Sequence, residues 1–443
     1  MPEELFVFDP KMFITGPLHP CPQCGSVELG TLSITNNVHT RRCRNCFHDE
    51  RERLPPLDKK LIYLDQMVLS NIAKELDPVW REETRHRDEY WMEAFDRIDR
   101  LIKLQLIVCP DSPIHEIESS YLEQHEAELR RLYKHLASGV RLRFHHEVLM
   151  AQLSEALEAW LTDRDPDWSR IAREHVVRGD LDRWSERWRV TVNMGYWLDQ
   201  IDSRRESRDR AHEKFQQLWE RWASEGHVSF EARFEEERRG VAVAALQSFK
   251  THFERLHEAT TGTGAGAVLM QLMQPAWPVR LVSWLLNRLE ERGVAREDQL
   301  QRAADFLNSE EALSAPENHL GALLFAGLAR RAASGQKRVP SRGTPNDIRF
   351  VAAYLPYCHA MFIDNEFAQL LKEEPLATAV KDYSTEIFSA SSRDGFLDYL
   401  ARLEAEAEPS HVDLVDRTYG ETWTEPYRSM LEHERSKRAC DRS

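Results

Sequence analysis

A chain of 443 residues, 42% hydrophobic and 30% charged, can hold two or three domains with a sizeable core, and it contains no apolar run long enough to cross a bilayer. Its formal charge of −15 argues against a protein that coats nucleic acid through bulk electrostatics, although acids gathered at a metal site would count in that total. The start MPEELFVFDP lacks the basic-then-apolar order of a secretory signal. Four of the seven cysteines fall in two CxxC pairs, which suits metal binding in a reducing compartment, so the expectation is a cytoplasmic protein with no membrane partner.

Residues 1–56 form the first predicted unit. Cys21-Pro-Gln-Cys24 and Cys43-Arg-Asn-Cys46 have the spacing of two knuckles closing a four-cysteine zinc site, with a β-hairpin over Val27–Val38 turning at Asn36-Asn37. The unit resembles a zinc ribbon. Closed coordination leaves no open position on the ion, so the zinc is expected to be structural. His39, Arg41, Arg42, Arg44, Arg51 and Arg53 offer a nucleic-acid or partner contact; the alternative is that zinc only supplies the folding energy that so small a unit lacks.

Residues 57–120 open with a short β-rich run, Leu61-Ile-Tyr-Leu-Asp65, followed by helical Val68–Ala73. A helical stretch, Arg81–Lys103, places Trp91, Phe95, Ile98, Leu101 and Ile102 at core spacing. A strand, Leu104–Cys109, leads to a helix started by Ser112-Pro113 that carries Glu116 and Glu118, of which one can face a site; Glu116 is preferred. Cys109 is expected to be a buried hydrophobe.

Residues 121–337 show successive amphipathic helices, an all-helical insertion whose Trp160, Trp168, Trp184, Trp188 and Trp197 are assigned to the core. Thr260–Gly266 lacks the Lys-Ser/Thr of a phosphate loop and is taken as a connector. Arg/His pairs spaced like those of the helical HEPN ribonucleases (Arg81/His86, Arg130/His135, Arg141/His146, Arg170/His175) are too numerous to discriminate and are treated as chance.

The basic run Arg330, Arg331, Lys337, Arg338, Arg342 then leads without an intervening acid into GTPNDIRFVAAYLPYCHAMFIDNEFAQLL (343–371). Within residues 338–405 this stretch predicts a helix opened by Thr344-Pro345 with Asp347 in its first turn, a buried strand from His359 to Ile363, and a second helix started by Asp364, Asn365 and Glu366. A last strand over Ser384–Ser389 and a helix over Asp394–Ala405 follow, then a polar tail, 406–443. The fold class is therefore α/β with a parallel sheet. In such sheets ligands bind beyond the carboxyl ends of the strands, where Asp65 and Asp364 sit. Helix capping explains each acid singly: Asp347 by a capping box with Thr344, Asp65 and Asp364 as helix starts.

The order of these pieces resembles the PIN domain family of metal-dependent ribonucleases. Asp65 in YLDQMVLSNI, Glu116 or Glu118 in SPIHEIE, Asp347 in PNDIRFVAA, and Asp364 with Glu366 in MFIDNEF match its successive acids. Met67 stands where the family usually has Asn or Ser, so a supporting group would come from Ser70 or Asn71. The resemblance implies a PIN-like three-layer fold split by the helical insertion. It also implies catalysis by Asp65, Glu116, Asp347 and Asp364, holding Mg2+ or Mn2+ with Glu366 or Asn365 at the margin. Hard cations take such oxygen ligands, and they supply what phosphodiester hydrolysis needs.

The expected function is an endoribonuclease acting on RNA, with tRNA among the candidate substrates, gripped through the basic run. Size and architecture suggest a regulated stress or anti-phage effector. The alternative is a scaffold or recognition subunit whose ribbon and helical insertion bind a protein or nucleic-acid partner.

Overall fold

The computed structural model describes residues 10–85, 87–122, 124–186, 201–226, 228–261, 275–336 and 340–431. The N-terminal unit is a four-stranded antiparallel sheet, β1 (Thr15–Pro20), β2 (Val27–Thr35), β3 (Val38–Cys43) and β4 (Asp49–Arg53), in that spatial order. Asn36 and Asn37 join β2 to β3 with φ of 51° and 58°. Two left-handed residues match the strand twist in a two-residue hairpin, and asparagine tolerates that conformation. At Gly30 a Cβ would lie 2.5 Å from the Thr15 carbonyl oxygen, so glycine lets β1 approach β2.

The second sheet is parallel: β5 (Lys60–Leu64), β6 (Ile107–Val108), β9 (Ala360–Phe362) and β10 (Glu386–Phe388), in the order β10-β9-β5-β6. A parallel bridge from Asp111 to Arg141 carries it one step further, to β7 (Arg141–Leu142), which pairs antiparallel with β8 (Val177–Arg178). The chain leaves β5 towards β6 and later returns to the opposite side for β9 and β10. The strand order therefore reverses between β5 and β9.

Residues alternate between two buried layers, as in a central parallel strand covered on both faces. Ile62, Leu64, Ala360 and Phe362 pack with the helices Gln66–Leu76, Glu89–Lys103, Glu126–Ala137 and Arg393–Ala405. Leu61, Tyr63, Met361 and Ile363 pack with the helices Pro316–Ala333, Thr344–Tyr354 and Asn365–Leu370, and with Phe215, Trp219 and Trp222 of Ile201–Ser224. The result is a helix–sheet–helix sandwich.

Three expectations change. The helix expected over Arg81–Lys103 is two, Pro78–Thr84 and Glu89–Lys103, because Arg85 turns left-handed (φ 51°) and Asp88 caps the second. Residues 121–142 belong to the α/β unit, since Leu129, Leu132, Tyr133 and Leu136 enter its core and β7 joins its sheet. The tail is folded through residue 431: Pro409–Tyr419 is a helix, and Val415 and Tyr419 pack with Ile34, Leu54, Leu104 and Trp184, joining the ribbon to the α/β unit. Its apolar side chains are few but recur at helical spacing among charges. Trp91, Phe95, Ile98, Leu101, Ile102, Cys109 and Trp184 are all buried as expected; Trp160 and Trp168 are only half-buried, packed against the core of the helical region, and Trp188, Trp197 and most of Thr260–Gly266 lie outside the described residues.

Candidate functional site

The thiols of Cys21, Cys24, Cys43 and Cys46 lie within 4.8 Å of one another, with Cys21–Cys46 and Cys24–Cys43 sulfur separations of 3.6 and 3.7 Å. A tetrahedral ion at a Zn–S distance of about 2.3 Å requires sulfurs about 3.8 Å apart, so the four can hold a metal such as zinc. The Asn45 amide donates to Cys43 Sγ at 3.4 Å and Ser26 Oγ lies 3.0 Å from Cys24 Sγ, the kind of outer contact that orients ligands. The neighbouring cations are largely occupied within the ribbon. Arg42 forms a two-point pair with Asp49, Arg41 pairs with Glu50, Arg44 donates to the Ile14 carbonyl, and His39 bonds Thr31. Arg51 and Arg53 are exposed and form no ion pair among the described residues, so part of the basic face stays available beside the folding role of the metal.

The strand-order reversal is occupied by acids. Leu64 and Phe362 are paired in register, and Asp65 and Asp364 follow just beyond them at the carboxyl ends of the two strands. Each caps the next helix, Asp65 Oδ1 accepting from the Gln66 amide at 2.7 Å and Asp364 Oδ1 from the Phe367 amide at 2.8 Å. Asp347 arrives from the first turn of Thr344–Tyr354 and does not form the expected capping box, since that helix starts at Gly343 without a side-chain cap. A Cβ at Gly343 would lie 3.3 Å from Asp347 Oδ2, so glycine leaves the carboxylate its space. Asp65, Asp347 and Asp364 line one small depression together with Tyr63, Phe350 and Ile363.

Electrostatics shows how closely the acids interact. Burial, together with the charge of Asp364, pushes Asp65 up to about 6 against the relief of its Gln66 hydrogen bond. Burial pushes Asp347 well above the usual carboxylate range, and Asp65, Glu118, Asp364 and Glu366 all push the same way. None of Asp65, Asp347 and Asp364 has an arginine or lysine ion-pair partner among the described residues. Like charges held together without a cation are destabilising, and a divalent ion removes that cost. The carboxylates are more dispersed than the thiols: among the described residues only the cysteines form a group of three or more ligands within 4.8 Å.

No family model, curated protein or solved structure matches this chain. The reading of the site therefore stands on its geometry and its chemistry.

Glu116 is not the acid that faces the depression. Its carboxylate takes a two-point bond from Arg141 at 3.1 and 2.7 Å, on the β7 side. Glu118 lies one helical turn beyond His115, whose Nε2 donates to the Leu64 carbonyl at 2.9 Å and whose Nδ1 accepts from the Ser112 amide, so the helix face bearing Glu118 is turned to the end of β5. Glu366 is at the margin, 3.4 Å from the Gln336 amide, and Asn365 accepts from the Ser391 amide. Asn71 contacts Met67 and Lys74.

The basic run is only partly available. Arg330 and Arg331 both pair with Glu373, Arg342 pairs with Asp209, and Lys337 and Arg338 lie outside the described residues. The Arg/His pairs are occupied separately, Arg130 by Glu126, His135 by Asp99 and Arg141 by Glu116, in keeping with chance spacing.

Sequence reasoning missed Tyr63. It is buried against the helix that carries Asp347, and burial plus the charges of Asp65, Glu118 and Asp347 raise its hydroxyl above the ordinary tyrosine range. A tyrosine two residues before the strand-end aspartate, on the opposite strand face from Leu64, was the available signal.

Proposed function

We propose that this chain is a metal-dependent endoribonuclease in which Asp65, Asp347 and Asp364, with Glu118 beside them, hold Mg2+ or Mn2+. The observation that carries this reading is the shared depression: three carboxylates from distant parts of the chain meet where the strand order reverses, with no protein cation among the described residues to neutralise them. The donor set is all oxygen, which suits a hard divalent ion. When bound, such an ion neutralises charge on a phosphodiester and makes a water nucleophilic near neutral pH.

The residues divide the remaining work. Asp65 and Asp364 are held rigid by their capping bonds, each with a second oxygen left for the ion. Asp347, uncommitted to any cap, has both oxygens to offer. Glu118 and Glu366 add negative potential that concentrates cations at the depression. RNA as the polymer rests on the PIN resemblance, as do the PIN-like assignment of the sandwich and a place in the cytoplasm; zinc in the ribbon rests on the four cysteines. A role as a regulated stress or anti-phage effector rests on the architecture.

A second reading, a recognition subunit without catalysis, draws on the pairing of Arg330 and Arg331 with Glu373, which withholds two of the cations expected to grip substrate. Incubation of the purified protein with tRNA and with generic RNA, with and without Mn2+, separates the two. Cleavage is expected only with Mn2+, and is expected to vanish in Asp347→Asn and Asp364→Asn variants of unchanged circular dichroism. Absence of cleavage of both RNAs by the parent protein, or retained cleavage in either variant, removes the nuclease reading.

A further inference from the structure

The helix that brings Asp347 to the depression turns its other side to a second, larger space. Ile348, Arg349 and Ala352 line a cavity of about 560 Å3, which also meets the helices Phe230–Thr261 and Pro316–Ala333 and the start of the helix Trp277–Glu291. That volume lies in the range of small-molecule sites, and most of the wall is apolar, with Leu149, Val241, Ala245, Ala322 and Phe325.

The polar groups on this wall are unusual for a helical interface. Glu317 is 7% exposed; its Oε1 lies 2.8 Å from His145 Nδ1, and its Oε2 is buried with no hydrogen-bond partner among the described residues. The Trp277 indole N–H is also buried without a partner among them, and its ring lies 6.5 Å from that of His145. Arg349 is close enough for its charge to act on both Glu317 and His145, yet it forms no ion pair among the described residues. A buried polar group left unmade costs about 1–3 kcal/mol. Two of them, beside the exposed Arg349 guanidinium, around one apolar space point to a ligand.

Their chemistry selects it. Burial raises the proton affinity of Glu317 and pushes His145 down to about 4, which favours a donating carboxylic acid on this wall beside an indole N–H and a guanidinium. Glu237, the other acid on the wall, also has its proton affinity raised by burial. An acceptor-only anion satisfies all three donors, and an apolar body covers the remaining surface. We propose that this cavity binds a small monocarboxylate with an apolar body, its carboxylate between Arg349, Glu317 and Trp277. Because Arg349 and Asp347 share one helix, occupancy is transmitted to the carboxylate depression; this clause alone rests on the nuclease reading.

The test uses the full-length, zinc-loaded protein without RNA or added Mg2+ or Mn2+, so that it is independent of cleavage. Titration calorimetry with octanoate, octanamide and octylamine at pH 6.5 is expected to show octanoate binding at least about tenfold tighter than the other two. Arg349→Ala is expected to weaken octanoate by about tenfold or more. Ala244→Trp, at an exposed position on the wall, is expected to abolish binding with an unchanged melting temperature. Preference for octylamine, no binding of any of the three, or full octanoate affinity in both variants overturns the proposal. If octanoate binds but leaves Mn2+-dependent cleavage unchanged, only the coupling to Asp347 is lost.

Discussion

At the scale of single residues, the acids of the depression oppose folding when no ion is present. Asp65 holds its proton up to about pH 6, against about 3.9 in an unfolded chain, so between those values the folded form binds more protons than the unfolded one. Stability from this group is therefore greatest below about pH 4 and falls as pH rises through 6. In zinc-loaded protein without Mg2+ or Mn2+, unfolding free energy is expected to drop by on the order of 1–2 kcal/mol over that window, and Mn2+ should restore it at pH 7.5. Asp347→Asn should flatten the drop and remove most of the Mn2+ effect. Denaturant melts at several pH values decide this; a parent protein whose stability ignores both pH and Mn2+ contradicts the assignment. Glu116→Gln breaks the pair with Arg141 and is expected to cost stability without changing Mn2+ binding, while Glu118→Gln weakens Mn2+. The reverse pattern would return the site role to Glu116.

At the scale of elements, the helix Pro113–Ser120 depends on its start. Ser112 Oγ accepts from the His115 amide, and the His115 ring in turn accepts from the Ser112 amide and donates to the end of β5. Ser112→Ala should cost about 1 kcal/mol and, by loosening the helix that aims Glu118, lower the Mn2+-induced gain in melting temperature. An unchanged melting temperature and Mn2+ response would mean that His115 alone sets this helix. The ribbon hairpin offers a comparable case: Asn36→Val forces a β-branched residue to φ 51° and should destabilise the ribbon by about 1–2 kcal/mol, and Asn37→Gly, though it suits the turn, removes the Oδ1 that accepts from the Trp184 amide at 3.1 Å and is expected to destabilise as well.

For the whole molecule, the folded C-terminal region helps tie the ribbon to the α/β unit, alongside Trp184, whose amide donates to Asn37 Oδ1 and whose indole donates to the Pro55 carbonyl. Tyr419 stacks near Trp184, its hydroxyl donates to the Ser185 carbonyl, and the Asp99 carboxylate accepts from the Tyr427 amide. Met430 and Leu431 enter the same core layer as Ile62 and Leu64. Deleting residues 406–443 removes the buried Val415, Tyr419, Met430 and Leu431 and should cost at least about 3 kcal/mol. A truncated protein that melts like the parent would show the C-terminal region to be dispensable. Stripping zinc should loosen the ribbon and expose Trp184, read as a red shift in emission that a Trp184→Phe variant lacks. Unchanged Trp184 emission after metal removal would mean that the ribbon holds without its ion.

Where physical information is local, the sequence was sufficient. The cysteine spacing, the Asn36-Asn37 turn, the Ser112-Pro113 helix start and the apolar strands ending in Asp65 and before Asp364 each depend on residues close together in the chain, and each appears where expected. Local capping preferences also explain why acids stand at two of these places, which is why no single aspartate could be assigned from sequence. The choice between Glu116 and Glu118 required β7, because the arginine that occupies Glu116 lies on the next strand. The fate of the basic run required Glu373, and the fold of the tail required the ribbon surface against which it is buried. Which carboxylates meet, and which are neutralised before they can, is decided by packing between distant segments, since charge interactions follow separation in space and burial.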